Sequence, residues 1–397
     1  ETKGTIIKVV GVGGAGGNAV EHMISRGVQG VDFICANTDH QTLARSSAPN
    51  IIQLGKTGLG AGSRPDMGRQ AAEEARDRIA DALRGAHMVF ITAGMGGGTG
   101  TGAAPLVAEV AKELGILTVA VVSKPFEFEG PRRMALAEAG LAELEARVHS
   151  LIVILNNKLE EVLGEDAQMH ECFRAADDVL HNACAGIAEI INIPGLVNVD
   201  FEDVKTVMSE HGKAMMGTAT ASGADRARIA AEQAVASPLL EGVDLSGARG
   251  VLVNITANGS LKMKETRIVM ETIRGFAADD ATVIFGTVND ETMGDDLRVT
   301  VVATGLGRAA AKKQAAPLTV IKTGTHDMPY HSGAQLTAAL GSVQSAPVAS
   351  AGGQDYHHLD TPAVWRQGGG SALRAAAIEE RAMDRFDIPA FLRKQAD

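Results

Sequence analysis

Short apolar runs alternate with helical patterns over the first 170 residues of the chain. Each run has the length of a buried strand, and between the runs apolar residues recur at helical spacing, as they do in 69–84. Such alternation predicts a parallel sheet covered by helices on both faces, an α/β fold of the Rossmann type. The predicted strands are 6–10, 33–36, 89–92, 118–122 and 151–155.

The pattern changes twice after this region. A long helical pattern comes first, followed by a smaller set of strand and helix patterns with strands at 250–255, 281–286 and 297–303. A stretch rich in Ala, Gly, Ser, Gln and Pro then has no lasting period, which is typical of a disordered linker. We predict a first α/β domain at 1–170, a central helix at 171–193, a second α/β domain at 194–307, the linker at 308–380 and a terminal peptide at 381–397.

Composition and charge disfavour several classes of protein. The 397 residues carry a formal net charge of −11, which disfavours a nucleic-acid surface as the main function. No uninterrupted apolar run reaches about 18 residues, so we predict no membrane-spanning helix. The first residues lack the apolar segment of a secretory leader, and we expect a cytoplasmic protein.

The cysteines and histidines show no metal-binding spacing. Cys35, Cys172 and Cys184 are odd in number and follow no metal motif, so we expect reduced thiols. His170 and Cys172 are two residues apart and therefore do not share one face of a helix. We predict no metal site built from a side-chain cluster.

Two glycine-rich loops each connect a predicted strand to a predicted helix. The first, Gly-Val-Gly-Gly-Ala-Gly-Gly-Asn at 11–18, follows strand 6–10, and the second, Gly-Gly-Gly-Thr-Gly-Thr-Gly at 96–102, follows strand 89–92. At such a junction, backbone N–H groups and the positive end of the helix point at an anion. The pair of loops predicts a site for one nucleotide whose polyphosphate is held by both.

Other interpretations of these loops are open at this point. Gly11, Gly13 and Gly16 satisfy the Gly-x-Gly-x-x-Gly dinucleotide fingerprint. Asn37 and Asp39 follow the next strand, so an NAD-dependent oxidoreductase is one alternative. A nucleotide-binding regulator that neither polymerises nor turns over is another. Neither loop contains the lysine of a Walker motif, so a P-loop NTPase is not predicted.

The second loop, 96–102, resembles the signature of the tubulin/FtsZ GTPase family in its bacterial form. Similarity to this family extends over 8–305, and the last eleven residues, 387–397, resemble the partner-binding tail of its proteobacterial members. The resemblance implies a GTP-dependent, self-assembling cytoskeletal protein of bacterial cell division, located at the mid-cell division site. It also implies GTP or GDP as the bound nucleotide, with Mg²⁺ beside it.

The same resemblance assigns roles to residues around the two loops. Asn18 and Asp177 are expected to hydrogen-bond the guanine, and Phe173 to stack on it. From the sequence alone Phe173 would be an ordinary core residue. Glu129 and Arg133 would be a solvated ion pair, whereas the matching family residues contact ribose and phosphate. The phosphates are expected against Gly14, Ala15, Gly16, Gly17, Gly98, Thr99 and Gly100, with Ala15 in a position where the family commonly has glycine.

Two carboxylates, Asp200 and Asp203, follow the predicted central helix. Their i, i+3 spacing lets both face one side as a helix begins, so helix capping is the interpretation that the residues alone favour. The resemblance implies instead a synergy loop that enters the nucleotide site of the next subunit. There Asp200 and Asp203 would orient and polarise the attacking water, and Asn198 would contact the nucleotide.

The chain ends in an apolar and cationic segment. Ile388, Phe391 and Leu392 are apolar anchors, which is typical of a peptide that binds as a helix in a groove. The resemblance implies membrane-tethering division proteins such as FtsA and ZipA as its partners, besides assembly regulators and head-to-tail self-association. Neither direct nucleic-acid binding nor direct membrane insertion is expected. The predicted partner-binding residues are Asp387, Ile388, Pro389, Phe391, Leu392, Arg393 and Lys394.

Overall fold

The structure is a computed structural model that describes residues 4–164, 166–193, 197, 199–210, 212–237 and 248–306. Contacts divide the chain into two units, Glu1–Leu318 and Thr319–Asp397, and every described residue belongs to the first. The predicted linker at 308–380, the terminal peptide at 381–397 and Asn198 therefore lie outside the described residues.

One ten-stranded sheet runs through the described residues, in the order β3-β2-β1-β4-β5-β6-β7-β10-β8-β9, with strands numbered along the chain. Neighbours from β3 through β7 are parallel. β10 is antiparallel to both β7 and β8, and β9 is parallel to β8. The strands are β1 Ile7–Val12, β2 Val31–Asn37, β3 Asn50–Gln53, β4 Met88–Gly94, β5 Leu117–Lys124, β6 Ser150–Leu155, β7 Gly212–Ala221, β8 Gly250–Ala257, β9 Thr282–Asn289 and β10 Leu297–Leu306.

Eleven α-helices lie within the described part of the chain. The central helical pattern forms the 24-residue helix α8. None of the described helices is both long enough and apolar enough to cross a membrane. The helices are α1 Gly13–Ser25, α2 His40–Leu43, α3 Pro65–Glu74, α4 Arg76–Leu83, α5 Thr99–Glu113, α6 Pro131–Glu145, α7 Asn156–Leu163, α8 Met169–Asn192, α9 Phe201–Met208, α10 Arg226–Val235 and α11 Met263–Arg274.

The predicted α/β fold is confirmed, with local differences. All five strands predicted for the first domain are present, but β3 and β7 were not predicted. β3 has only four residues, and β7 alternates small and polar residues, so neither carries a strong apolar run. The helical pattern predicted at 69–84 is present but is interrupted at Ala75, which separates α3 from α4, and buried residues of both helices, such as Ala72 and Ile79, pack into one core.

Apolar cores cover both faces of the parallel strands. On one face α1 and α8 pack on alternate strand residues such as Val9 and Phe90. On the other face α3 to α6 pack on the residues between them, such as Val10 and Ile91. Strands buried on both sides carry continuous apolar runs, which is why these strands were predictable. A third core lies beneath α10 and α11.

Helix α1 approaches the sheet so closely at Gly16 that a side chain there would not fit. A Cβ on Gly16 would lie 2.3 Å from the carbonyl oxygen of Thr92, whereas a Cβ on Gly14 would meet nothing within 4 Å. We therefore expect Gly16→Ala to lower the free energy of unfolding by about 1–3 kcal/mol, and Gly14→Ala not to lower it. Urea unfolding of the nucleotide-free proteins measures both. Equal midpoints for the two variants would show that the loop relaxes without cost.

Candidate functional site

The two glycine-rich loops meet at the carboxyl edge of the sheet. β1 and β4 are parallel neighbours, with Val12 opposite Ala93 near their ends. The chain continues from β1 to β2 on one side and from β4 to β5 on the other, so the sheet has a topological switch point between β1 and β4. Open α/β sheets bind ligands in the crevice at such a point.

The amino-terminal ends of α1 and α5 lie side by side at this crevice. Gly13, where α1 begins, has a φ of +75°, and a Cβ there would lie 2.9 Å from the backbone nitrogen of Gly100. A Cβ on Gly14 or on Gly17 would instead meet no atom within 4 Å. The loops therefore touch each other on one side and leave open backbone on the other, an arrangement that binds phosphate.

Threonine hydroxyls join the loops to their surroundings. The Oγ1 atoms of Thr38 and Thr99 lie 2.6 Å apart, which connects the end of β2 to the start of α5. The N–H of Gly96 donates to Oγ1 of buried Thr101 at 2.8 Å. Thr101 thus braces the loop from inside, and the partly exposed hydroxyl of Thr99 lies at the crevice.

A cavity of about 120 Å³ lies beside α1, next to the loops. It is bounded by α1, by the ends of β4 and β5, and by α6, α7 and α8. The structure brings together here all of the residues predicted to contact base and ribose, with one residue of the phosphate loops. These are Ala15, Asn18, Glu129, Arg133, Phe173 and Asp177.

Glu129 and Arg133 form an ion pair of 3.0 Å at the mouth of this cavity. The side chain of Glu129 is only 13% exposed, and its Oε1 accepts from the N–H of Phe126 at 2.9 Å. The Arg133 side chain is 48% exposed. The pair is therefore anchored through the glutamate, which leaves the guanidinium available to a bound anion.

Phe173 is not an ordinary core residue. It is 42% exposed, and its ring meets the ring of Phe126 edge to face at 5.2 Å. An edge contact fixes the ring and leaves a face free. Phe173 is therefore held in place as a platform on the cavity wall.

The carboxyl group of Asp177 has a raised pKa. Burial raises the pKa of its carboxyl to about 6; the positive charge of His22 lowers it, and the negative charge of Asp178 raises it. Burial therefore makes the ionised carboxylate less stable than in water, and a hydrogen-bond donor that reaches it would stabilise it. An acidic side chain poised in this way at a cleft is typical of a functional site.

Asn156 lines the same cavity and was not predicted. It begins α7 directly after β6, is 5% exposed, and its Oδ1 has no hydrogen-bond partner in the structure. A buried acceptor without a partner costs free energy unless a ligand or water supplies a donor. Its position at the carboxyl edge, after a predicted strand, was the signal that could have identified it.

Ala15 fits because its neighbour is glycine. Ala15 lies within α1, so its backbone is helical and needs no glycine. A Cβ on Gly94 would lie 2.6 Å from the Cβ of Ala15. The methyl group therefore occupies space that the missing side chain of Gly94 leaves at the end of β4.

Asp200 and Asp203 lie far from this cavity. Asp200 caps α9, and its side chain accepts from the N–H of Glu202 at 3.4 Å. Phe201, the next residue, meets the ring of His87 at 6.1 Å, and His87 directly precedes β4. The cavity lies at the other end of β4, whose seven residues span roughly 20 Å. Both carboxylates are exposed at this opposite edge.

Among the described residues, no group of three or more His, Cys, Asp and Glu side chains is arranged so that it could hold a metal ion. The free thiols of Cys35, Cys172 and Cys184 are all buried. Burial raises the pKa of the Cys35 thiol, so this sulfur is a weak metal ligand.

Two protein-family models match this chain, one over the first part of the sheet and one over the last part. Residues 6–164 match the model of the Tubulin/FtsZ family, GTPase domain. Residues 212–307 match the model of the FtsZ family, C-terminal domain. The first match contains both glycine-rich loops, and the second contains β7 to β10.

Individual relatives are similar over most of the chain. The cell division protein FtsZ of Coxiella burnetii is 54% identical over 393 residues, 98% of this chain and 96% of the relative. That of Pseudomonas aeruginosa is 54% identical over 397 residues, 99% of this chain and 97% of the relative. A solved structure of an empty FtsZ dimer from M. jannaschii has a TM-score of 0.74 at 43% identity, covering 77% of this chain and 89% of that one.

The paired helix ends at the switch point and the match to the GTPase domain define a GTPase with a Rossmann-like core. The identities over nearly the whole chain make the assignment more specific: the chain belongs to the tubulin/FtsZ family, within its FtsZ branch.

The pKa of Asp177 predicts how GTP binding depends on pH. The ionised carboxyl is the form that accepts two hydrogen bonds from guanine, so affinity should bend near pH 6, level off about one unit above it, and weaken towards tenfold per unit at lower pH. The γ-phosphate of GTP titrates in the same range, so Asp177→Asn is the control that removes the contribution of this carboxyl alone. Fluorescence titration with a GTP analogue from pH 5 to pH 8 measures the difference. Parallel profiles would contradict the prediction.

Proposed function

We propose that each subunit binds GTP in the crevice between β1 and β4, that subunits assemble head to tail, and that the GTP is hydrolysed where two subunits meet. The assembly forms the scaffold of the division ring at mid-cell. Family membership and relatives named as cell division proteins support the cellular role.

Guanine recognition belongs to the cavity beside α1. The Asp177 carboxylate accepts from the N1–H and exocyclic amine of guanine, a pair of donors that adenine does not offer. Asn18 lies on the opposite wall, and the unpartnered Oδ1 of Asn156 is a further acceptor. The free face of Phe173 stacks on the base, while Glu129 and Arg133 contact ribose and phosphate.

The separation of Asp200 and Asp203 from the cavity is the observation that carries the shared-site proposal. They lie at the opposite edge of the sheet, roughly one strand length from the nucleotide crevice of their own subunit. Carboxylates at that distance do not reach their own γ-phosphate. In a head-to-tail assembly the two edges face each other, and the acidic loop of one subunit meets the nucleotide of the next.

The division of labour follows from the chemistry of phosphoryl transfer. That reaction needs positioning and charge stabilisation more than covalent participation by the protein. The glycine-rich loops hold the polyphosphate, and the neighbour's Asp200 and Asp203 orient and polarise the attacking water. Asn198, which lies outside the described residues, contacts the same nucleotide. Hydrolysis thus depends on assembly, and loss of the γ-phosphate weakens the contact that produced it.

Mg²⁺ fits this site as a companion of the phosphates. The hydroxyls of Thr38 and Thr99 are oxygen donors at the loop edge, 2.6 Å apart. In nucleotide sites Mg²⁺ takes few protein ligands and completes its shell with phosphate and water. When bound, the ion neutralises negative charge on the phosphates.

The NAD-dependent alternative is disfavoured by Asp39. In a dinucleotide site the acidic residue after the second strand binds the ribose. Here the Asp39 carboxylate instead accepts from the N–H of Gln41 at 2.9 Å and from the hydroxyl of Thr42 at 2.8 Å. It caps α2, and these bonds lower the pKa of Asp39.

Asp203→Ala separates binding from hydrolysis. We expect GTP affinity within a few-fold of the parent, because Asp203 does not reach its own nucleotide. Turnover should fall at least tenfold, or about 1.4 kcal/mol of barrier. Glu202→Ala is the matched control, since Glu202 pairs with Lys205 one turn along the same exposed helix end. Phosphate release at a series of protein concentrations measures turnover per subunit.

The same assay tests the shared site directly. Turnover per subunit should be near zero below a critical concentration and rise above it. A specific activity that stays constant on dilution, or a large loss of GTP affinity in the isolated Asp203→Ala subunit, would place the carboxylates in their own pocket.

The terminal peptide, although outside the described residues, carries the proposed docking to FtsA and ZipA. Phe391→Ala should weaken binding of the full chain to either partner by about 2 kcal/mol, roughly thirtyfold, because a buried aromatic anchor dominates a short interface. Gln395→Ala is the control from the same segment. GTP turnover should be unchanged in both variants. Undiminished binding of Phe391→Ala in surface plasmon resonance would locate the docking site elsewhere.

A further inference from the structure

Two side chains, His22 of α1 and Arg26 directly after α1, contact one carboxylate of α8 near the cavity. Nε2 of His22 and Nη2 of Arg26 each lie 2.7 Å from Oδ1 of Asp178. The His22 side chain is 14% exposed, whereas those of Asp178 and Arg26 are 37% and 50% exposed, so only the histidine end of the cluster is sheltered from water. The ring of His22 also meets the ring of His181 edge to face at 6.0 Å.

The cluster of His22, Arg26 and Asp178 lies beside the residues of α1 and α8 that line the cavity. Asn18 and His22 are four residues apart on α1, so they lie on one face of that helix. Asn18 and Asp177 line the cavity, and Asp178 follows Asp177 directly on α8. His22 is itself outside the set of residues that line the cavity. The contact of His22 with Asp178 therefore joins α1 to α8 about one helical turn from Asn18, which lines the cavity.

We propose that His22 is a positioning residue for the choice of nucleotide. By holding Asp178 it keeps α8 against α1, and this sets the Asp177 carboxylate where it accepts two hydrogen bonds from a purine bearing both an N1–H and an exocyclic amine. The inference rests on the proposed function, in which Asp177 binds the guanine.

Simultaneous acceptance of two hydrogen bonds is sensitive to small displacements. Hydrogen bonds weaken steeply as the angle at the hydrogen falls, so a shifted carboxylate keeps one bond and loses the other. Inosine triphosphate differs from GTP only in lacking the exocyclic amine. The ratio of the two affinities therefore reports the position of Asp177, while overall affinity reports the whole site.

His22 also supplies charge to the same carboxyl. Its positive charge lowers the pKa of Asp177, against the effects of burial and of Asp178. A glutamine in its place keeps an N–H donor for Asp178 but carries no charge. The charged and titratable groups around Asp177 are His22 on α1, Arg26 directly after α1, Asp178 and His181 on α8, and Lys124, Glu129 and Arg133 around the cavity.

The test uses the full chain at concentrations below assembly, with GTP and inosine triphosphate as the two probes. The parent should bind GTP more tightly than inosine triphosphate, and His22→Ala should reduce the ratio of the two dissociation constants at least threefold at pH 8. His22→Gln should keep the parent ratio at pH 8 but move the midpoint of the GTP affinity profile to higher pH. Asn192→Ala is the matched control, because Asn192 ties the far end of α8 to the carbonyl of Gly30 at 2.6 Å. It should leave both ratio and midpoint unchanged.

The outcomes separate this inference from the proposed function. If Asp177→Asn loses the preference for GTP over inosine triphosphate but folded His22→Ala keeps it, the role of His22 is overturned. Guanine binding by Asp177 then stands. An unchanged ratio in Asp177→Asn overturns guanine binding by that residue. Should His22→Ala fail to fold, an unmoved midpoint in His22→Gln still counts against the inference. Equal narrowing in Asn192→Ala would show a general loosening of α8 and would overturn a specific role of His22.

Discussion

Backbone packed directly against backbone at the ends of β1 and β4 is the constraint on which the site depends. A Cβ on Gly16 would lie 2.3 Å from the Thr92 carbonyl, and one on Gly100 would lie 2.5 Å from the Gly94 carbonyl. Without side chains there, two helices begin within contact of two neighbouring strands. Their amino-terminal dipoles and free N–H groups then converge on one crevice. A nucleotide is held without a lysine in either loop because the backbone supplies the positive end.

The length of the parallel strands separates the nucleotide crevice from Asp200 and Asp203, the carboxylates of the proposed hydrolysis step. All parallel strands from β1 to β6 end at the edge that holds the nucleotide. Asp200 and Asp203 begin a helix at the other edge, beside His87. A rigid strand keeps these edges roughly 20 Å apart, so the proposed reaction requires a second subunit. In the proposed mechanism, the fold thereby makes hydrolysis depend on assembly.

Helix α8 connects the cavity to the second half of the sheet. Its apolar face belongs to one core with residues of β1 and β4 and with Ala214, Leu252 and Val302 of the second half. The opposite, polar side of its first turns carries Phe173, Asp177 and Asp178. Nucleotide contacts and the ion pairs with α1 therefore act on the same rigid element.

Local pattern determined the strands that are buried on both faces, the helices between them and the two phosphate loops, because continuous apolar runs and glycines act within a few residues. Family resemblance added the base and catalytic residues. Strands such as β3 and β7 were missed because they are short or consist of small and polar residues, and the apolar period of 69–84 runs through Ala75 without showing the break there. Only the folded chain decided that Asn156 shares a cavity with Asp177, that burial raises the pKa of that carboxyl, and that Asp200 and Asp203 lie at the far edge. These properties depend on distance in space and on exclusion of water, and residues far apart along the chain acquire them only when the sheet and α8 bring them together.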